Sequence, residues 1–124
     1  MPAYFTNTVF YGAVNDNLKA FKINNAKLST SPASQSGNAF TYPGTTPAVS
    51  GTGLNGIVWA VENTSPAILH AYNATNLAQE LYNSNQMGSR DHFGAGNKFI
   101  TPLIANGKVF VGTQTGVAIF GLLQ

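Results

Sequence analysis

The sequence predicts an all-β fold made of three repeated units of short antiparallel strands. Short runs of β-branched and aromatic residues are bounded by Gly, Asn and Pro, and no run of helical period is long enough to compete with them. The clearest runs are Thr8–Gly12, Ile57–Val61 and Lys108–Gly112. With 44% hydrophobic and 8% charged residues, the composition is that of a folded chain and not of a disordered one.

Each unit has the same parts in the same order. A Pro opens a short strand, an Asn-Gly pair or its substitute predicts a turn through positive φ, and an apolar strand follows. The opening prolines are Pro2, Pro47 and Pro102. A turn then leads to a second strand that is apolar and ends in an aromatic residue: Leu18–Phe21, Leu69–Tyr72 and Val117–Phe120. In the first two of these strands a small Ala allows neighbouring sheets to stack closely.

An outer strand is predicted after the second strand in two of the units, at Ala26–Ser29 and at Gln79–Asn83. The prolines recur at intervals of 45 and 55 residues, which is the spacing of four-stranded propeller blades. We therefore expect a single domain over 1–124: a partial β-propeller of roughly two and a half blades, with units at 1–29, 46–83 and 99–124 and the last blade incomplete. The polar stretches between the units, near 30–44 and 84–97, predict surface loops.

The second and third units carry a resemblance to a known family. The runs Leu69-His70-Ala71-Tyr72-Asn73-Ala74 and Thr101-Pro102-Leu103-Ile104-Ala105-Asn106-Gly107-Lys108-Val109-Phe110-Val111-Gly112-Thr113 resemble blades of the PQQ-like (quinoprotein-type) β-propeller repeats. The stretch from Gly96 to Leu122 is similar to the C-terminal end of exported bacterial members. Asn73 stands where the family usually has Asp, and Tyr82 replaces the Trp that makes the contact between neighbouring blades in the family.

The resemblance implies a propeller fold and a periplasmic or secreted location in a bacterium. Pyrroloquinoline quinone and calcium are suggested only by the family name, since the Glu, Asn and Asp calcium ligands of quinoprotein dehydrogenases cannot be placed in this sequence. We therefore expect no cofactor and no metal.

The densest polar cluster, Gly88–Lys98, contains the three weak catalytic candidates Arg90, Asp91 and His92. Adjacent Asp and His side chains in an extended loop point apart, whereas a Ser-His-Asp triad needs the carboxylate to orient the imidazole. We therefore expect a solvated loop with a contact between Arg90 and Asp91. Asp91→Ala or His92→Ala is expected to leave the fold intact, with the small change in stability that surface substitutions cause.

Three further features have structural explanations. Gly51–Gly56 matches the letters of a dinucleotide fingerprint, but a strand follows it and not a helix, so it predicts a hairpin loop. His70 shares a strand face with Tyr72 and is expected to be a packed sheet histidine; with His92 it would give too few ligands for zinc. Trp59 is expected in the core between blades.

Charge and hydropathy exclude several partners. The net charge is +2, from six Lys and Arg against four Asp and Glu, which is too little for nucleic acid, and no apolar run has the length of a membrane helix. The leading expectation is a non-catalytic binding and assembly module that forms homo-oligomers through open strand edges, with Val117–Leu123 pairing across the interface.

The alternative is an enzyme: a small hydrolase acting on an ester or lactone, or a quinone-dependent oxidoreductase, with its site at the mouth of an assembled ring. That alternative requires the acidic and histidine side chains of different units to meet in one cleft. The residues concerned are Asp16, Glu62, His70, Asp91 and His92.

Overall fold

The computed structural model describes residues 1–122 and has three antiparallel sheets, which confirms the all-β prediction. The first sheet contains β1 (Ala3–Phe5), β2 (Thr8–Gly12), β3 (Asp16–Asn24), β4 (Lys27–Leu28) and β5 (Ser34–Phe40). The second contains β6 (Ala48–Ser50), β7 (Ile57–Glu62), β8 (Ile68–Asn73) and β9 (Asn76–Asn83). The third contains β10 (Leu103–Ala105), β11 (Lys108–Gly112) and β12 (Val117–Phe120).

The predicted positions of the strands and of one interstrand segment are confirmed. The outer strand expected at Ala26–Ser29 is the two-residue β4, and the one expected at Gln79–Asn83 lies within β9. The segment 84–97 contains no strand and only a 3₁₀ turn at Gly88–Asp91. None of the residues placed by the structure forms a helix long and apolar enough to cross a membrane.

The prediction of a loop over 30–44 was wrong, because Ser34–Phe40 forms β5 and pairs with β3. This strand is held by polar side chains that a hydrophobic pattern does not reveal. The Leu18 N–H donates to the Ser36 hydroxyl at 2.9 Å, and the Asn17 amide donates to the Ser36 and Asn38 carbonyls. Ser36 is buried despite its polarity, since its hydroxyl is bonded, and Phe40 anchors the end of the strand in the core.

The tight turns differ between units. Thr6–Asn7 and Asn106–Gly107 both take positive φ, as predicted, in two-residue hairpin turns. In the second unit Asn55–Gly56 does not; a longer loop connects β6 and β7, and Gly51 and Gly53 take the positive φ values instead. Gly56 is required for space, since a Cβ there would lie 2.4 Å from Phe5 Cε1. The fingerprint-like Gly51–Gly56 is thus a hairpin loop, as expected.

Two hydrophobic clusters hold the sheets together face to face. The first joins the first two sheets and is centred on large buried side chains: Phe10, Leu18, Phe40, Val58, Tyr72 and Leu77. The second joins the second and third sheets through smaller aliphatic side chains: Val61, Ala67, Leu69, Val109 and Val111. Small residues oppose large ones across strand pairs, as at Phe10 and Ala20 or Trp59 and Ala71, which permits the close stacking that the repeat predicts.

The sheets stack in the same strand order. β1 contacts β6, β6 contacts β10, and β5 lies along β9. The first two sheets therefore cover each other from first strand to last, but within residues 1–122 the third sheet places no strand opposite β9.

Candidate functional site

Arg90 and Asp91 lie in the 3₁₀ turn Gly88–Asp91, beside the last strand of the second sheet. The expected contact between them is present and is bidentate: Arg90 Nε donates to Asp91 Oδ1 at 2.6 Å, and Nη2 donates to Oδ2 at 2.8 Å. Tyr82, on β9, donates its hydroxyl to Asp91 Oδ2 at 2.6 Å. The Asp91 side chain is only 14% exposed, so it is less solvated than the sequence suggested.

These contacts shift the pKa values of the two acidic groups in opposite directions. The Arg90 guanidinium, followed by the Tyr82 hydroxyl, lowers the pKa of Asp91 from its ordinary value of 3.8 to about 2. Burial, followed by the neighbouring Asp91 carboxylate, raises the pKa of Tyr82 well above its usual range. Asp91 is therefore a fixed anion whose two oxygens already accept hydrogen bonds, which is the state of a structural carboxylate and not of a poised general base.

His92 does not join this group. Its side chain is exposed, and within residues 1–122 it has no hydrogen-bond partner; only its backbone N–H is engaged, with the Ser89 carbonyl. Asp91 is turned toward Arg90 and Tyr82 instead, as expected from the directions of adjacent side chains. The other side chains that the enzyme alternative requires lie elsewhere: Asp16 pairs with Lys19 in the first sheet, while Glu62 and His70 lie between the first and second sheets.

A groove of about 610 Å³ opens between the second and third sheets next to the Arg90–Asp91 pair. Its walls are mainly apolar and aromatic: Ile57, Trp59, Tyr82, Ile104, Val109, Ile119, Phe120 and Leu122. Trp59 was expected in the core between blades; it is half-buried there, and its Nε1 donates to the Ser50 hydroxyl at 2.8 Å. The groove has the size and the lining of a binding site for a small molecule or a peptide side chain.

The groove exists because one side chain is small. In the first sheet Phe5 opposes Thr8 and fills the end of the interface with the second sheet. Ser50 has the corresponding place in the second sheet, opposite Ile57. Because Ser50 is much smaller than Phe5, the same end of the next interface stays open.

Sequence reasoning placed His70 on the correct strand face but missed its partners. His70 is 6% exposed, its ring stacks on Tyr72, and Phe40 of the first sheet meets it edge-on. Nδ1 lies 2.6 Å from Glu80 Oε1, and Nε2 lies 3.3 Å from Glu62 Oε2. The carboxylates are on opposite sides of the ring, so a single ion cannot be held by all three groups, and no cluster suited to a metal occurs within residues 1–122.

This arrangement joins two sheets through polar contacts. The Tyr72 hydroxyl donates to the side-chain oxygen of Asn38 on β5, and burial, followed by the Glu80 and Glu62 carboxylates, raises the pKa of Tyr72. A buried histidine with a carboxylate oxygen beside each ring nitrogen, and a tyrosine bonded across the interface, specify how the sheets meet. Their role is therefore structural.

Asp91 is expected to make stability depend on pH in the acid range. A carboxyl group with a lowered pKa in the folded state stabilises the fold above pH 4 and loses that contribution as the pH falls toward 2. Chemical denaturation between pH 5 and pH 2 should show a shallower loss of stability in Asp91→Asn than in the unmodified chain. His92→Ala should keep most of the slope, because the charge of His92 is the smallest of the causes that lower the pKa of Asp91, and Asp16 contributes equally to all three proteins. Equal slopes in the unmodified chain and Asp91→Asn would contradict the assignment.

Comparison of the chain with family models, curated proteins and solved structures gives no match. The likeness to PQQ-like repeats therefore stays a prediction from the residues quoted above.

Proposed function

We propose that this chain is a β-propeller segment that acts as a binding and assembly module and associates with further copies of itself. The observation that carries the proposal is a row of unpartnered apolar side chains on the outward face of the third sheet. Leu103, Phe110 and Ile119 lie directly opposite one another on β10, β11 and β12. Leu103 is 63% and Ile119 60% exposed, although both belong to regular strands.

A second row lies at the other end of the stack, on the outward face of the first sheet. There Tyr4, Val9 and Phe21 oppose one another on β1, β2 and β3, and Tyr4 is exposed. Sheets of this chain already pack face to face twice within one copy. Stacking the third sheet of one copy on the first sheet of the next would repeat the same packing and bury both rows.

Such contacts join two different faces of the copies. They close into a ring when the rotations from each sheet to the next add up to a full turn, as they do in a propeller. Only 8% of the residues are charged, so few charges oppose association. The enzyme alternative has less support, because Asp91 is engaged by two partners and His92 lies apart from it.

The test is the mass of the protein in solution. Light scattering at micromolar concentration should give at least twice 13.0 kDa. Leu103→Asp places a charge in the row that Leu103, Phe110 and Ile119 form on the third sheet. The substitution should shift the mass toward that of the monomer. Leu54→Asp is the matched control, because Leu54 is equally apolar and exposed but lies in the loop between β6 and β7.

A folded monomer of the unmodified chain at this concentration would contradict the proposal. An equal loss of mass in Leu103→Asp and Leu54→Asp would also contradict it, since association would then not depend on the outward row.

A further inference from the structure

The open side of the groove is bordered by the free edge of β12. Between the first two sheets the last strands, β5 and β9, cover each other. Within residues 1–122 the third sheet stops at β12, so β12 pairs with β11 on one side only. An edge strand presents unpaired N–H and C=O groups that can accept a further strand.

The edge is short, with four residues, but it carries no charge, proline or bulge that would block such pairing. Val117–Phe120 contains no charged residue, no Pro and no bulge in its pairing with β11. Within residues 1–122 no fourth strand lies next to β12. Tyr82 on β9 lines the groove beside this strand position, together with the apolar side chains of Trp59 and Phe120. A strand added to β12 would therefore find both backbone partners and a cavity for an apolar side chain.

The charges at the groove define the complementary ligand further. Arg90 is neutralised by Asp91, whereas Lys108, which also lines the groove, has no ion-pair partner among the residues of the structure. The groove thus has an excess of one positive charge, which an acidic side chain would complement.

The space next to β12 in the third sheet has room for one added strand only. The second sheet has four strands and the third has three, so β9 extends by one strand spacing, about 4.8 Å, beyond β12. In a symmetric pair joined through the β12 edges, the projecting β9 strands of the two copies would approach each other. We therefore expect a single added strand to fit better than pairing of Val117–Leu123 between copies, of which Leu123 lies outside the described residues.

We propose that this position binds one extended peptide segment of another protein. The peptide pairs antiparallel with β12 as the fourth strand of the third sheet, inserts an apolar side chain beside Trp59, and directs an acidic side chain toward Lys108. This site shares Ile119 with the row of Leu103, Phe110 and Ile119 through which the copies associate, but peptide binding is read from amide shifts at β12 and association from the mass in solution, so the two proposals can fail independently.

A synthetic peptide that copies Asn76–Asn83 is a suitable probe. This segment is the fourth strand of the second sheet and carries apolar Leu77 and Leu81 together with acidic Glu80. Trp59 is the only tryptophan of the chain and lines the groove, so its fluorescence reports occupancy directly. The titration is made with Leu103→Asp, which removes self-association from the measurement.

We expect a saturable change in Trp59 fluorescence and amide NMR shifts concentrated at Val117–Phe120. A peptide with Pro in place of Gln79 lacks a backbone donor and should bind about tenfold more weakly, as should a peptide of the same composition in scrambled order. Ser50→Phe should fill the groove as Phe5 fills the other interface, and should reduce binding by a similar factor while the far-UV spectrum stays that of the unmodified chain.

The proposal is overturned if no saturable change occurs, if the proline and scrambled peptides bind as well, or if the amide shifts lie away from β12. Concentration-dependent shifts at β12 without peptide would mean that a second copy fills the position, and would overturn it too. The NMR mapping decides the question even if Ser50→Phe does not fold.

Discussion

Replacing Phe40 with Ala is expected to lower the free energy of unfolding by about 3 to 5 kcal/mol, the usual cost of truncating a buried phenylalanine. Phe40 ends β5, is 0% exposed, and packs in the first core cluster between the first and second sheets. Its ring also meets His70 at a centroid distance of 5.6 Å. Truncation would leave a cavity that the two stacked sheets cannot close, because each is fixed by its own strand pairing.

Urea denaturation at one fixed protein concentration measures this effect, since association would otherwise alter the apparent stability. Phe99→Ala is the matched control: the same substitution at a side chain that is 73% exposed should change the free energy of unfolding by about 0.5 kcal/mol or less. Similar losses in the two variants would mean that β5 does not belong to the core.

Gly56→Ala is expected to destabilise the protein by about 1 to 3 kcal/mol, although it adds a single methyl group. The new Cβ would lie 2.4 Å from Phe5 Cε1 and 2.8 Å from Ala74 Cβ. Phe5 belongs to the packing between the first two sheets, so relieving the overlap requires its ring to leave a favourable position. Thermal unfolding and urea denaturation should both show the loss.

Two further variants distinguish the overlap between Gly56→Ala and Phe5 from a general effect of replacing a glycine at or next to a strand end. A methyl group added to Gly112, on β11, would meet no atom within 4 Å, so Gly112→Ala should be neutral or slightly stabilising. In the double variant Phe5→Ala with Gly56→Ala, the overlap with Phe5 is gone and only the 2.8 Å approach to Ala74 Cβ remains, so the combined loss should be smaller than the sum of the two separate losses by about 0.5 to 3 kcal/mol. Additive losses would show that Phe5 and Gly56 do not interact.

The strands that sequence analysis located are those whose apolar residues alternate or run together between turn residues. β2, β7 and β11 belong to this class, and each was placed correctly. β5 was missed because its sequence, Ser34–Phe40, is mostly small and polar. Its pairing depends on bonds from Asn17 and Leu18 to Ser36 and Asn38, which join residues about 20 positions apart and have no local signature.

The candidate site was predictable only where neighbours in sequence are neighbours in space. The contact between Arg90 and Asp91 followed from their adjacency, and the separation of Asp91 from His92 followed from side-chain directions in an extended loop. The hydrogen bond from Tyr82 to Asp91 did not, because it depends on how the 3₁₀ turn folds back along β9.

Local backbone preferences and a side-chain period of two were enough to predict the all-β class, the three units and the strand face on which His70 lies. Which side chains meet across sheets depends instead on tertiary packing. The groove depends on Ser50 standing where the preceding sheet has Phe5, and the contact of His70 with Glu80 depends on the register shifts between β8 and β9. Both are set by the packing of whole sheets, where a difference of one side-chain volume or one residue of register changes which atoms touch.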